Sequence, residues 1–446
     1  MLSRKCQIIL LVLLSFGGVK IIKAQDTLRL SLNDALKIAQ ENNLNIKNSQ
    51  LDLKSAQKKI WETTAIGLPH IDGTAKYTFN PKVPTLPATA FDPTAKPGDV
   101  IELGVKQNIV YDLTASQLIF NGAYLIGLKA SRAYYNFSEE SLEKAMLEIN
   151  ETVTNTYYMT LVGDESRKIL VSNLKNVNST LAEITEMYKQ GFVEQTDVDQ
   201  LALTANTITN AIFQIDNNLD MASKLLKIQL GLAETLNIKL TDQLGMEEAQ
   251  VTKLNALAHE PFILENSVDF KLLTTSELLA KYDYKREMSN SLPVISSYYN
   301  HQEKWKTPAF DFAPKDVIGV NLSLPIFSSG QRSAAVAQKR MAFEKATNNK
   351  VYAGNTLIMQ SSQLQNDLRT KLDKYQIQKK SKELSDVIYQ RTLEKYKQGI
   401  SSSQELMTIQ NQYLNNLSNY YQGIYDVVGA KTKLEKLFNF NQKITK

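Results

Sequence analysis

The chain has 446 residues, 43% hydrophobic and 22% charged, the balance of an ordinary globular protein. Its net charge of +5 owes four units to Arg4, Lys5, Lys20 and Lys23, with no acid among residues 1–24, so the remainder carries only about +1. That removes the sole support for nucleic acid as a partner, and a single cysteine, Cys6, excludes a disulfide framework and a cysteine metal site.

Residues 1–24 have the plan of a secretory signal peptide. Arg4 and Lys5 precede the apolar run IILLVLLSFGGV (8–19), and Ala24 stands as the small residue before the cut. Twelve apolar residues are too few to span a bilayer as a helix. Cys6 lies ahead of that run, outside the usual lipidation position. The exported chain would therefore have no thiol and must hold together by packing and assembly.

Proline maps the rest of the chain. All eleven prolines fall within 69–97 and 261–325, leaving 98–260 and 326–446 open to long helices. Strands are expected at about 68–80 and 101–120. In the first, Ile71, Ala75, Tyr77 and Phe79 oppose His70, Asp72, Thr74, Lys76 and Thr78. In the second, Leu103, Val105, Ile109, Tyr111 and Leu113 oppose Glu102, Gly104, Lys106, Asn108, Asp112, Thr114 and Ser116. This period of two suits a half-buried sheet in a soluble protein as well as a membrane barrel. From about 125 the period becomes helical. Leu142, Met146, Ile149, Val153, Tyr157 and Leu161 recur at steps of three or four, as do Leu170, Leu174, Val177, Leu181, Ile184 and Tyr188. A helix from 125 to 190 would run about 100 Å at 1.5 Å per residue.

The pattern then repeats. EMYKQG (186–191) returns as EKYKQG (394–399), Leu68-Pro69 as Leu292-Pro293, and QLIFNG (117–122) as SLPIFSSG (323–330). A first repeat is expected over 25–240 and a second over 241–446, the latter including an irregular segment at 233–265 that straddles the division. Further strands are expected at 293–305, where alternation is poor, and at 316–327, where Ile318, Val320, Leu322, Leu324 and Ile326 oppose Gly319, Asn321 and Ser323. Four strands cannot close a barrel, and open edges are not tolerated in lipid. If the strands face lipid, other copies must complete the sheet.

In the order, duplication and spacing of LSLNDALKIAQENNLNI (30–46), the Leu-Pro strand starts, IFNG, IFSSG and the two Y-K-Q-G tips, the chain resembles the TolC-like outer-membrane efflux and secretion channel family. The resemblance covers essentially the whole exported chain. It implies a mainly α protein with a membrane β part. The expected assembly is a homotrimer whose twelve strands, four per chain, form one barrel in the outer membrane of a Gram-negative bacterium. An α-helical tunnel would continue into the periplasm, with 233–265 in an equatorial belt. The implied partners are outer-membrane lipid, a periplasmic adaptor (membrane fusion) protein and an inner-membrane RND or ABC pump. No cofactor, metal or catalytic residue is implied.

The same resemblance assigns the tips. Gly191 and Gly399 would make the turns, although glycines ending any helix would look alike, and Phe192 and Ile400 would touch the adaptor. Asp197, Tyr396 and Glu405 match the pore aperture. Ser401 stands where a closing arginine is expected, and Thr408 replaces an outer acid. Glu405 is either part of an acidic ring or a solvated acid at a helix start. Phe120 and Phe327 would sit at membrane-interface depth or simply pack at the strand–helix junction. The alternative function is an exported coiled-coil scaffold or adhesin without a pore. An enzyme finds little support: His70, His259 and His301 stand in unrelated contexts, with no nucleophile elbow.

Overall fold

The structure, a computed structural model, describes residues 27–440 apart from 92, 247, 309 and 310. The leader expected at 1–24 lies outside the described residues.

Short β1 (Leu28–Leu30) precedes α1 (Leu32–Asn42), where the Ser31 hydroxyl accepts from the Asp34 amide and Asp34 accepts from the Ser31 amide. Asn43 closes α1 and opens α2 (Leu44–Ala65), its side-chain oxygen accepting from the Asn45 and Ile46 amides. Such caps satisfy the first free amides, so one residue suffices to break and restart a helix. The chain continues through β2 (His70–Phe79), β3 (Thr85–Pro87), β4 (Val100–Glu102) and β5 (Gln107–Asn121). β5 runs directly into α3 (Gly122–Lys189), and α4 (Gln195–Leu230) returns along it. After β6 (Ile238–Leu240) and α5 (Glu248–Leu257) come α6 (Val268–Ser289), β7 (Val294–Lys304), β8 (Asp316–Ser323), α7 (Gln331–Lys397) and α8 (Ser403–Phe438).

Thus one series of elements occurs twice: α2, β2, β5, α3, α4, then α6, β7, β8, α7, α8. The long helices have 68 and 67 residues and the returning helices 36 each, so both rods reach the same depth. The antiparallel sheet has the order β2-β5-β7-β8. The helices keep that order: α2 packs on α3, α3 on α6 and α6 on α7. Beyond them α4 packs on α3, α3 on α8 and α8 on α7. The molecule is a strip four elements wide.

Globular packing is confined to the middle of the strip. There β1 pairs parallel with β6, and Leu30, Ala35 and Ala39 bury against Val153, Tyr157, Leu161, Leu226 and Leu230. On the other hairpin Leu254 and Ala258, in and just after α5, join Leu368, Leu372, Ile424 and Leu434. The irregular 233–265 segment is therefore a collar on the rods.

Two strands differ from their expected limits. Residues 101–106 do not extend β5: β4 pairs with β3 in a separate ribbon, and Gly104 bends against Val83, where a Cβ would lie 2.7 Å from Val83 Cγ1. Leu103 and Val105 thus leave the alternating face. The strand expected to 327 stops at Ser323, because Pro325 has no amide to donate to a ladder.

Gly231, with φ of +65°, ends α4, and a Cβ there would lie 2.5 Å from the Asn42 carbonyl oxygen. Gly231→Ala is expected to cost about 1–2 kcal/mol in backbone strain alone, with the forced shift of Asn42 added. A lowered denaturant midpoint of the detergent-solubilised chain, at unchanged slope, would register it.

Candidate gate and membrane surface

Opposed residues of an antiparallel sheet share a face, so the registers assign the two surfaces. Ile71, Ala75, Tyr77 and Phe79 share one with Ile109, Tyr111, Leu113, Tyr299, Ile318, Val320 and Leu322. Ile318 is 83% exposed and Ile71 71%, far beyond what a soluble sheet leaves in water. The other face carries Asp72, Thr74, Lys76, Asp112, Thr114, Asn300, Gln302, Asn321 and Ser323. It is cross-linked by Gln302 donating to Asp112 at 2.8 Å and Asn300 donating to Thr114 at 2.9 Å.

β7, whose alternation is poor, belongs fully to the sheet because its polar residues find partners. At the end remote from the helices His301 Nδ1 lies 2.7 Å from Asp316, Tyr299 donates to Asp316 at 2.7 Å, and Lys315 bonds Glu303 at 2.8 Å. Tyr77, Phe79, Tyr111 and Trp305 stand at this same end, an arrangement suited to a membrane interface. At the helix end a bulge between Leu118 and Phe120 sets Phe120 opposite Ile295, on the apolar face. Plain alternation would have turned it to the polar face. Phe327 lies in the loop before α7 and is 85% exposed.

At the far ends of the rods both turns close alike. The Phe192 amide donates to the Met187 carbonyl at 3.0 Å and the Ile400 amide to the Lys395 carbonyl at 2.9 Å, across Gly191 at φ +79° and Gly399 at φ +73°. A Cβ on either glycine would meet nothing within 4 Å, so the turn demands the left-handed dihedral and not the space. Phe192 and Ile400 project, 72% and 70% exposed.

The candidate aperture residues fall into three groups. Asp197, in the first turn of α4, accepts a short hydrogen bond from Ser403, which opens α8, and so joins the two tips. The Tyr396 hydroxyl is buried among the tip residues and has no hydrogen-bond partner. Burial, then the charges of Asp197 and Glu183, pushes its pKa up to about 12. Separately, Ser401 donates to Glu405 at 2.7 Å, and the Glu405 amide is capped by Ser402 at 3.1 Å. Thr408 meets none of these and bonds the Gln404 carbonyl of its own helix at 2.8 Å. Among the described residues no ion pair joins the tips. Ser403 was missed from sequence. Its neighbour Ser402 carries the S-x-x-E capping signal, whereas a contact 206 positions away leaves none.

A sheet with one apolar and one polar face, continued by helices about 100 Å long, defines a subunit of an outer-membrane channel. The chain belongs to the outer membrane efflux protein family, which it matches over residues 35–232 and 263–439. Among solved structures it is similar to the CmeC outer membrane channel of Campylobacter jejuni, with 19% identity and a TM-score of 0.76 over 91% of this chain and 85% of that one. It is also similar to VceC of Vibrio cholerae, with 14% identity and a TM-score of 0.73 over 91% and 95% of the two chains. The MtrE channel of Neisseria gonorrhoeae, solved in its open state, gives 14% identity and 0.69 over 91% and 88%. No curated protein matches the chain by sequence. The family is one of outer-membrane efflux proteins, and CmeC and MtrE are outer-membrane channels.

Gly191→Ala and Gly399→Ala are each expected to strain a tip by about 1–2 kcal/mol without a clash. Hydrogen exchange at the tip amides should quicken roughly tenfold per 1.4 kcal/mol lost, while the collar stays protected.

Proposed function

We propose that three copies form a passive exit duct through which an inner-membrane pump expels cargo from the periplasm via an adaptor. One observation carries this reading: a sheet with an apolar face and two unpaired edges. In hydrocarbon each unsatisfied backbone group costs several kcal/mol, so β2 and β8 must be paired by other copies. Two copies would give eight strands, whose side chains fill the interior at about that number. Three leave a polar lumen lined by the Asp112 and Thr114 face.

The helix edges support the same closure. On α4 Leu203, Phe213, Met221 and Ile228 are exposed, with Asp199 and Asp220 beside them. On α7, at the opposite edge, Ile377, Leu384, Val387 and Ile388 are exposed beside Lys380, Arg391 and Lys395. Asp220 is neutralised by Lys224 on its own helix at 2.8 Å, so it is the two apolar stripes that suit contact between successive copies. Energy comes from the pump, since the chain holds no phosphate loop. Phe192 and Ile400, beside Gly191 and Gly399, form the adaptor-facing tips.

The gate in this reading is a hydrogen-bonded latch. Ser403 and Asp197 hold the two hairpin tips together, Tyr396 lies beneath them, and Glu405, oriented by Ser401, faces the aperture above Thr408. A hydrogen bond to a charged group contributes about 1.5–3 kcal/mol, less than a buried ion-pair network, so the closed state is easily released.

Conductance of the purified trimer in a planar bilayer tests the duct. A chain that stays monomeric and soluble without detergent, or inserts and conducts nothing, would sink it. Ser403→Ala should raise the open fraction at least about tenfold, from the ~1.5–3 kcal/mol lost, at unchanged single-channel conductance. Glu405→Gln should lower cation preference and block by polyvalent cations. Unaltered reversal potentials would remove Glu405 from the aperture.

A further inference from the structure

The two halves of the sheet obey one register. Leu68 to Leu292 is an offset of 224, and Phe120 to Phe327 an offset of 207. Adding the first to a β2 residue and the second to its β5 partner turns His70↔Ser116 into Val294↔Ser323, and Ile71↔Ala115 into Ile295↔Leu322. The conversion holds up to Tyr77↔Ile109, which becomes His301↔Asp316, so every pair of the β7–β8 ladder is reproduced. Side chains and loops have diverged between the halves. The hydrogen-bonded geometry has not.

The ladder between the halves, β5 with β7, must then have an image as well: β8 with a β2. Within one copy these strands lie at opposite edges of the sheet, so that β2 belongs to a second copy. We propose that β8 of one copy pairs antiparallel with β2 of the next, with Ser323 opposite Thr74, Leu322 opposite Ala75, Asn321 opposite Lys76, Val320 opposite Tyr77 and Ile318 opposite Phe79. The pairing rests on the closed barrel proposed above and adds to it the register of the joint.

Two features agree with this register. The apolar face stays apolar across the joint, through Leu322–Ala75, Val320–Tyr77 and Ile318–Phe79, while Ser323–Thr74 and Asn321–Lys76 stay on the polar face. A slip by one residue would set Asn321 opposite Ala75 or Tyr77 and Lys76 opposite Val320 or Leu322, forcing polar and apolar side chains onto one face. A slip by two keeps the faces but spoils the corner below. Phe120 packs opposite Ile295, both half-buried, and the image of that contact is Phe327 opposite Ile71. Phe327 and Ile71 are 85% and 71% exposed in one copy, and only the unslipped register covers each with the other. Ile326, 88% exposed, stands where Ile119 forms the bulge that turns Phe120 to the apolar face. The joint therefore has a ladder above and an apolar corner beneath it, where α7 of one copy descends beside α2 of the next.

Paired cysteines on the polar face read the register without touching the lipid surface. Ser323→Cys with Thr74→Cys, and Asn321→Cys with Lys76→Cys, should give disulfide-linked multimers on non-reducing denaturing gels, up to covalent trimers. The shifted pairs, Ser323→Cys with Asp72→Cys or with Lys76→Cys, should link several-fold less. If one in-register variant does not assemble, the other reports the same register. Assembled trimers that link best through a shifted pair would overturn the register and leave the barrel standing. A wild-type chain that is monomeric in the membrane, by mass of the detergent complex, would overturn both.

Discussion

A strand in hydrocarbon must find a protein partner for every backbone N–H and C=O, since neither lipid nor water is there to supply one. The whole architecture follows from that constraint. The sheet ends at β2 on one side and β8 on the other, with an apolar face that water would reject and edges that lipid would reject. A single copy is therefore an unfinished object. Its helices inherit the same problem in weaker form, since α4 and α7 carry exposed leucine, isoleucine and methionine along the free sides of the strip.

Within the strip the seams are unequal. Each hairpin is closed by apolar or aromatic packing. Val177, Ile184, Leu201 and Ile208 join α3 to α4, while Tyr389 stacks on Tyr413 at 5.1 Å and Tyr375 on Tyr420 at 5.7 Å between α7 and α8. Between the hairpins, where α3 meets α8, the contacts are polar. Gln410 donates to Asn173 at 2.7 Å in a buried pair, Thr432 bonds Asn155, and Lys436 meets Glu151 at 3.0 Å. A buried amide pair specifies alignment more than it stabilises. Parting the hairpins would expose groups that water can satisfy, whereas opening one hairpin would expose leucine and tyrosine. The hydrogen bond between Ser403 and Asp197 sits at the end of this weaker seam.

The features legible in the sequence were those written into local chemistry. Proline-free stretches and stripes such as Val153, Tyr157 and Leu161 marked α3, and those three side chains are buried. Gly191 and Gly399 marked turns because a left-handed residue is cheapest as glycine. Alternation at Ile71 to Phe79 and at Ile318 to Leu322 marked strands. Where alternation depended on a partner it misled. β7 reads as irregular because His301 and Glu303 are compensated by Asp316 and Lys315 on β8 and in the loop leading to it. Residues 103–106 alternate but bend away, since Gly104 packs against Val83.

The sequence by itself determined the elements and their duplication: where helices can be long, where the chain must turn, and which strand residues can face lipid. These follow from proline, glycine and periodicity, which act over a few residues. Only the tertiary structure decided which strands are neighbours, that the sheet keeps two open edges, that the Leu118–Phe120 bulge carries Phe120 onto the apolar face, and that Ser403 meets Asp197. Each of those is a meeting of residues far apart in the chain. Local propensity does not encode such meetings, because their partners arrive only when the strip is packed.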